Sequence, residues 1–242
     1  MSPAGGPGLL DVRIARKRAE TAAGEPVEIL SNLAFRLGVG EVGAMIGPSG
    51  CGKSTCMRIV AGLDPAFEGS VERPPGPIAM VFQEPRLLPW RSVEDNIRLA
   101  APRITKAELA ALLGRLGLAD HKAHFPGELS LGLARRVALA RAFAVKPSLL
   151  LLDEPFVSLD APLARALESE LVALIAEGPM TTLLVTHDVG EASRLADRIF
   201  VLSPRPAQVV GEIGVAAPRA AMSGAVARSI ESNVEALRAL SR

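Results

Sequence analysis

The chain has 242 residues, 49% of them hydrophobic, and a formal net charge of +1. That is enough apolar material for one large domain, or one domain with a subdomain, and too little charge to hold nucleic acid by bulk electrostatics. With two cysteines, no basic-then-apolar leader and no uncharged apolar run near the roughly 20 residues that span a bilayer, we expect a reduced, cytoplasmic protein that meets any membrane from the side.

In chain order, the residues before about Asp11 read as a loose tail, and β-type segments follow at 10–14 and 27–37. The basic cluster Arg13, Arg16, Lys17 and Arg18 reads as a solvated strand edge. Residues 41–46 are short and apolar, as a buried strand is, and 53–61 start a helix with Cys56, Ile59 and Val60 on one face. Strands are predicted at 70–72 and 78–82. From 84 to about 145 the character is helical. Thr105 and Glu108 form a capping box, Leu109, Leu112, Leu113 and Leu116 an apolar stripe, Pro126 and Gly127 a loop, and Ser130 the cap of a further helix. Parallel-sheet grammar returns at the apolar run 149–152. A helix face follows at Leu163, Leu167, Leu171, Leu174 and Ile175, then a strand at 181–185, a short helix at 189–196 and a strand at 199–202. Residues 204–224 read as an edge hairpin plus linker, and 226–240 as a last helix. Strands alternating with helices imply an α/β sheet covered on both faces, with a helical insertion.

Within that frame, residues 47–55 read Gly47-Pro48-Ser49-Gly50-Cys51-Gly52-Lys53-Ser54-Thr55, a complete G-x-x-x-x-G-K-S phosphate loop between a strand and a helix. Glycines let the backbone curl so that N–H groups converge on an anion, and the following helix N-terminus adds partial positive charge. Lys53 brings a full charge to the β/γ-phosphates, and the Ser54 hydroxyl suits Mg²⁺. Asp153-Glu154 closes the apolar run 149–152, which places an acidic pair at a strand's carboxyl end. Asp153 is the expected holder of Mg²⁺, Glu154 the expected base for an attacking water. His187 follows the strand 181–185 on the same rim, where it can bond a γ-phosphate. Gln83 ends the strand 78–82, where a neutral amide can face both water and metal. His121 and His124 read as surface residues without partners. Cys51 lies in the loop and Cys56 in the helix behind it, so a bridge between them would distort the site.

Residues 47–55, Gln83, 129–133, Asp153-Glu154, Ser158-Leu159-Asp160 and His187 stand in the order, and at the spacing, of an ABC-type ATPase. From about residue 10 to 214 the chain resembles the nucleotide-binding subunit of an ABC transporter. Phe82-Gln83-Glu84-Pro85-Arg86-Leu87-Leu88-Pro89-Trp90, Arg136-Val137-Ala138-Leu139-Ala140-Arg141-Ala142 and Asp153-Glu154-Pro155-Phe156 look like the nitrate, sulfonate and taurine importers. The resemblance implies an α/β P-loop NTPase of ABC type, with a mostly parallel sheet core, an antiparallel β edge and an inserted helical subdomain. Residues 1–242 would be a single nucleotide-binding domain. About 10–84 and 146–215 would form the ATP-binding core, about 85–145 the helical signature subdomain and about 216–242 a C-terminal helix.

The resemblance also implies an ATPase, using ATP and Mg²⁺, that energises uptake of a small solute such as nitrate, a sulfonate or taurine. Glu154, His187 and Gln83 would be catalytic, and Ser54, Gln83 and Asp153 would hold the metal. Two subunits would pack head to tail around two ATP molecules. Ser130, Leu131 and Gly132 of one chain would face the other's nucleotide, with Asp160 at the junction. The second subunit would be a copy of this chain or a paralogous ATPase. Membrane permease subunits would be direct partners, meeting the segment 84–90, and a periplasmic or lipid-anchored solute-binding protein an indirect one, with no nucleic acid. The place implied is the cytoplasmic face of the inner membrane, peripherally held.

Two positions depart from the family pattern. Leu131 stands where the signature usually has glycine, adding bulk where close approach is needed. Arg16-Lys17-Arg18-Ala19 stands where an adenine-stacking aromatic is usual, so that an arginine would have to cover the base by a cation–π contact. A soluble ABC ATPase not coupled to transport, and a degenerate cassette acting as an interaction subunit, stay open on these residues alone.

Overall fold

Alternating burial opens the structure: in β1 (Leu10–Glu20) Leu10, Val12 and Ile14 are inside while Arg13 and Ala15 are out. The computed structural model describes residues 9–20, 24–215 and 224–239, so the expected tail before residue 9 and the linker at 216–223 lie outside the described residues. β1 pairs antiparallel with β2 (Pro26–Leu37), Val12 opposite Phe35, and with β4 (Glu68–Glu72), Val12 opposite Val71. Between them in the chain, β3 (Val42–Ile46) is buried at every residue, and α1 (Lys53–Val60) follows the phosphate loop.

The described residues divide into two compact units, one running to Pro75 and resuming at Pro179, the other Gly76–Gly178. The second unit holds the parallel pair β5 (Ile78–Val81) and β6 (Leu149–Asp153), with Ile78 opposite Leu149. Around them the expected helical block resolves into α2 (Val93–Ala100), α3 (Lys106–Arg115) and α4 (Leu131–Ala144), and α5 (Ala161–Ile175) follows β6. Each starts on a side-chain cap, from Ser92, Thr105, Ser130 and Asp160 respectively. The loop predicted at Pro126 and Gly127 is a single 3₁₀ turn, closed by the Phe125 N–H donating to Glu128 Oε2 at 2.6 Å. His121 and His124 also differ from expectation. Their rings meet edge-on at 5.1 Å, and the His124 carbonyl accepts from Val93 N–H at 2.9 Å.

Back in the first unit, β7 (Thr181–Thr186) and β8 (Arg198–Leu202) flank β3 in parallel, and β9 (Val209–Gly214) closes the edge antiparallel to β8. β7, like β3, is buried throughout, because helices cover both faces of such a sheet. α6 (Val189–Leu195) packs on β3 and β7, and α7 (Gly224–Ala239) packs on β8 and β9, burying Ile230 and Val234. The basic cluster on β1 is not uniformly solvated. Lys17 is buried, donating to Asp64 Oδ1 at 2.6 Å and to Ala66 O at 2.8 Å, which ties β1 to the loop after α1.

The capping box on α3 is complete. Thr105 N–H donates to Glu108 Oε2 at 2.9 Å, and Glu108 N–H donates to Thr105 Oγ1 at 3.2 Å. Lys146 Nζ adds a bond to Glu108 Oε1 at 2.6 Å. Lys146 first, then the Thr105 donors, hold the Glu108 carboxyl down at about 2, against an ordinary value of 4.5. A depressed carboxylate stabilises the fold above its unfolded value and loses that stabilisation as pH falls through the folded one. The melting temperature of Glu108→Gln should therefore lie below wild type above pH 4.5, and the gap should close as pH falls towards 2. A gap that does not change with pH in thermal melts would show that the charge on Glu108 contributes nothing.

Candidate nucleotide site

The phosphate loop leaves β3 at Ile46 and returns as α1 at Lys53. Two of its glycines are demanded by packing. A Cβ on Gly47 would stand 2.9 Å from Leu202 Cβ and 3.1 Å from Cys51 Sγ. A Cβ on Gly52 would stand 2.7 Å from Leu30 Cδ2 and 2.9 Å from Ile29 Cγ2, on a residue whose φ is 127°. Gly50 meets nothing within 4 Å, but its φ of 73° is left-handed, so it makes the turn itself. Cys51 N–H donates to Pro48 O at 3.2 Å across that turn.

Lys53 is buried, and its ammonium donates to Gly47 O at 2.9 Å and Pro48 O at 3.0 Å, which pins the charge to the loop's own backbone. The N-cap of α1 is Gly52, which has no side-chain oxygen to offer the first N–H groups, and the first turn carries no acid. The partial positive charge of the helix end is left for an external anion. Ser54 is exposed and Thr55 half-buried on that turn. Both thiols are free and buried. Burial pushes Cys51 up, and pushes Cys56 up to about 12, so neither is a thiolate at neutral pH.

The parallel register brings His187 to this rim. Ile46 stands opposite Thr186, so Gly47 and His187 leave the sheet at the same level. His187 is exposed. The turn that carries it is braced by Thr186 Oγ1, which donates to Glu191 Oε2 at 2.8 Å and accepts from Asp188 N–H at 3.1 Å. The basic residues expected over adenine are mostly engaged elsewhere. Lys17 is buried on Asp64, and Arg16 pairs with Glu28 at 3.6 Å and Glu68 at 3.8 Å, while Arg18 is exposed.

In the second unit, Val81 stands opposite Leu152, so Gln83 and the pair Asp153-Glu154 sit at the carboxyl ends of neighbouring strands. Asp153 is buried, Glu154 half-buried and Gln83 exposed. Glu154 has φ 45°, in the left-handed region, as does Ser158 at 64°. For residues with a Cβ this costs on the order of 1 kcal/mol each. Ser130 Oγ accepts from Leu133 N–H at 3.3 Å and Asp160 Oδ1 from Leu163 N–H at 2.9 Å, so both Ser130 and Asp160 act as helix caps in this chain. Leu131, the first residue of α4, is 44% exposed. Gly132 is buried, and a Cβ there would stand 2.7 Å from Leu163 Cδ2. Thus the loop and His187 come together at the ends of β3 and β7, Gln83 and Asp153-Glu154 at the ends of β5 and β6, and Ser130–Gly132 and Asp160 stand at two helix starts.

Sequence reasoning missed three side chains that shape these loops. Asn96 is fully buried. Its amide donates to the carbonyls of Leu88 (3.2 Å), Arg91 (3.0 Å) and Ser92 (3.0 Å), and its Oδ1 accepts from Leu88 N–H at 2.8 Å. Trp90, in the segment so held, is 69% exposed. Arg141 donates to Pro85 O at 2.9 Å and Arg86 O at 2.8 Å. Arg135 is buried and donates to the carbonyls of Glu154, Pro155 and Val157. The available signal was a polar residue inside an apolar stripe: Asn96 between Val93 and Ile97, Arg135 between Gly132 and Leu139.

A loop built this way suits a chain of phosphates, and the strands and helix around it make the fold that of a P-loop nucleoside-triphosphate-binding protein. Residues 30–157 match the model of the ABC transporter family. The chain is 44% identical over 224 residues to the aliphatic sulfonates import ATP-binding protein SsuB 2 of Burkholderia cenocepacia (strain HI2424), with 88% of this chain and 81% of that protein covered. It is 44% identical over 213 residues to SsuB 2 of Pseudomonas syringae pv. tomato, covering 87% and 90%. Among solved structures it resembles the ATP-binding cassette MJ0796 in a dimeric post-hydrolysis state bound to ADP and Pi, with TM-score 0.76 and 28% identity over 86% of this chain and 99% of that one. The chain belongs to the ABC transporter family, in the sulfonate branch of its importer ATP-binding subunits. It is an ATPase whose hydrolysis is coupled to transport.

Lys53 is the only full positive charge that residues 47–55 carry. Lys53→Ala should abolish tight ATP binding, measured by calorimetry, while circular dichroism shows an intact fold. Unchanged affinity would mean that the phosphates are held elsewhere.

Proposed function

We propose that this chain is the energy-converting subunit of an importer for a small sulfonate or a related anion such as nitrate. The observation that carries this is the phosphate loop with Lys53 fixed in it, within a sequence 44% identical, over most of its length, to sulfonate import subunits. The site residues then take these roles. Residues 47–55 wrap the β/γ-phosphates. Glu154 draws the proton from the attacking water, and His187 bonds the γ-phosphate and fixes that water. Ser54, Gln83 and Asp153 suit Mg²⁺, which prefers oxygen ligands and keeps several waters. The ion would neutralise phosphate charge when bound. Among the described residues no three of His, Cys, Asp or Glu cluster as a metal site.

Two copies, or this chain and a paralogue, would close over two nucleotides, with Ser130, Leu131 and Gly132 facing the partner's ATP and Asp160 at the junction. The dimeric post-hydrolysis cassette supports this arrangement. Residues about 10–84 and 146–215 would act as the ATP-binding core and about 85–145 as the signature subdomain. No helix of the described residues is long and apolar enough to cross a membrane, so permease subunits would hold the protein at the cytoplasmic face. A solute-binding protein would deliver the cargo on the opposite side. Closure on ATP and release after hydrolysis convert differential binding into motion.

The decisive experiment is reconstitution with the cognate permease and solute-binding protein in vesicles. ATP turnover should rise on adding an alkanesulfonate or taurine, and Glu154→Gln should bind ATP and dimerise without turnover. Stimulation by no anion of this class would remove the substrate assignment. Wild-type turnover in Glu154→Gln would place the base elsewhere.

Leu131 generates a separate expectation. At the exposed start of α4 an aliphatic side chain offers a phosphate nothing, and small misplacements of catalytic groups cost about a hundredfold. Leu131→Gly should raise ATPase activity, or ATP-driven dimerisation of Glu154→Gln. The helix-propensity loss falls at a terminus and should leave the melting temperature nearly unchanged. A fall in both activity and dimerisation would make Leu131 a working part of the interface.

A further inference from the structure

The segment Glu154–Asp160 joins β6 to α5 without regular structure, and two of its residues, Glu154 and Ser158, lie in the left-handed region. Such a turn points carbonyls in directions that no ladder satisfies, and it relaxes unless something holds it. Arg135 does so. Its guanidinium is buried, with Nη1 donating to Glu154 O at 3.4 Å and to Pro155 O, and Nη2 donating to Val157 O. A planar fork can meet several carbonyls at fixed angles, which an ammonium cannot. A buried charge is also costly unless fully hydrogen-bonded, so an apolar residue would fill the space more cheaply if packing were all that was required.

Arg135 rises from α4, one turn beyond Ser130 and Leu131. The same helix makes a second contact with this loop's far end. Gly132 lies against Leu163, whose N–H is the one capped by Asp160. The helix therefore grips the segment at both ends, by hydrogen bonds at Glu154–Val157 and by close packing beside Asp160.

We propose that Arg135 is a positioning residue that fixes the backbone of Glu154 to the signature helix α4, so that engagement of Ser130 with the opposing nucleotide sets the carboxylate of the same chain. The proposal rests on Glu154 being the base and on the signature acting in trans. Two sites in one dimer are then coupled through α4, with Arg135 as its hydrogen-bonded link: a helix that shifts on ligand binding carries the Glu154 backbone with it. Binding of ATP to residues 47–55 does not pass through Arg135.

The test compares Arg135→Gln and Arg135→Lys with wild type, scoring turnover per folded protein. In Arg135→Gln, kcat should fall about a hundredfold, while KM and the calorimetric affinity for ATP stay within about twofold. The Hill coefficient for ATP should fall towards about one as the sites uncouple. Arg135→Lys keeps the charge but reaches fewer carbonyls, so it should recover part of kcat. It also carries the test if Arg135→Gln does not fold. A role in folding alone would lower the melting temperature with kcat per folded molecule and the Hill coefficient both unchanged, and that result overturns the proposal. Glu154→Gln runs alongside. If it hydrolyses ATP at the wild-type rate, the assignment of the base fails and the proposal with it. If it is inactive while Arg135→Gln keeps full kcat, only the role of Arg135 is refuted.

Discussion

Backbone N–H groups reach an anion only where side chains stand out of the way, and residues 47–52 are built around that constraint. Leu202 on β8 closes one side of the loop against any Cβ at Gly47, and Ile29 and Leu30 on β2 close another at Gly52. The two strands come from different sheets, yet both must sit at van der Waals distance from one short loop. This is why β2 is stapled to the chain after β8, with Ser31 N–H donating to Ala207 O at 3.1 Å and Ala207 N–H to Ile29 O at 2.9 Å. Lys53 bonds to the loop's own carbonyls, so the chain itself ties the charge to the curve that an anion would meet.

The second unit solves a different problem with different residues. Its segments 84–92 and 154–160 have no regular secondary structure, so several of their carbonyls take partners from side chains. Asn96, Arg135 and Arg141 supply them from inside helices. A net gain of about 1 kcal/mol for a neutral bond, and about 1.5–3 for a charged one, makes each of these side chains a large local contribution. The larger effect is selection of one conformation: a loop with three carbonyls on one guanidinium has few alternatives of similar energy.

Much of this was legible in the residues because the relevant signals are local. The phosphate loop is contiguous, the Thr105–Glu108 box spans one turn, and the fully apolar run at 149–152 can only be buried. The parallel strands that carry Gln83, Asp153 and His187 follow from strand–helix alternation. What was illegible either depended on distant pairing or left no pattern in the neighbouring residues. Nothing near Lys17 in sequence announces Asp64, so a buried ion pair read as a solvated edge. Arg135 looked like an ordinary polar position on a helix because the carbonyls that need it lie 19 to 22 residues away, and Asn96 because its partners, 4 to 8 residues back, sit in an irregular loop. His121 and His124 looked like separate surface residues because ring contacts leave no pattern in the sequence. The 3₁₀ turn at Pro126–Glu128 escaped because proline and glycine mark a turn without specifying its kind.

Asn96 holds up a segment whose tip is Trp90, and the chain contains one tryptophan and no tyrosine. The near-ultraviolet emission of the whole protein therefore comes from a single indole standing in water. Any surface that closes over residue 90 moves that ring into a less polar surround and shifts its light to shorter wavelength, with no other tryptophan to blur the reading. The fold has thus placed its one strong chromophore where an encounter with another molecule, and not the state of the core, controls its colour.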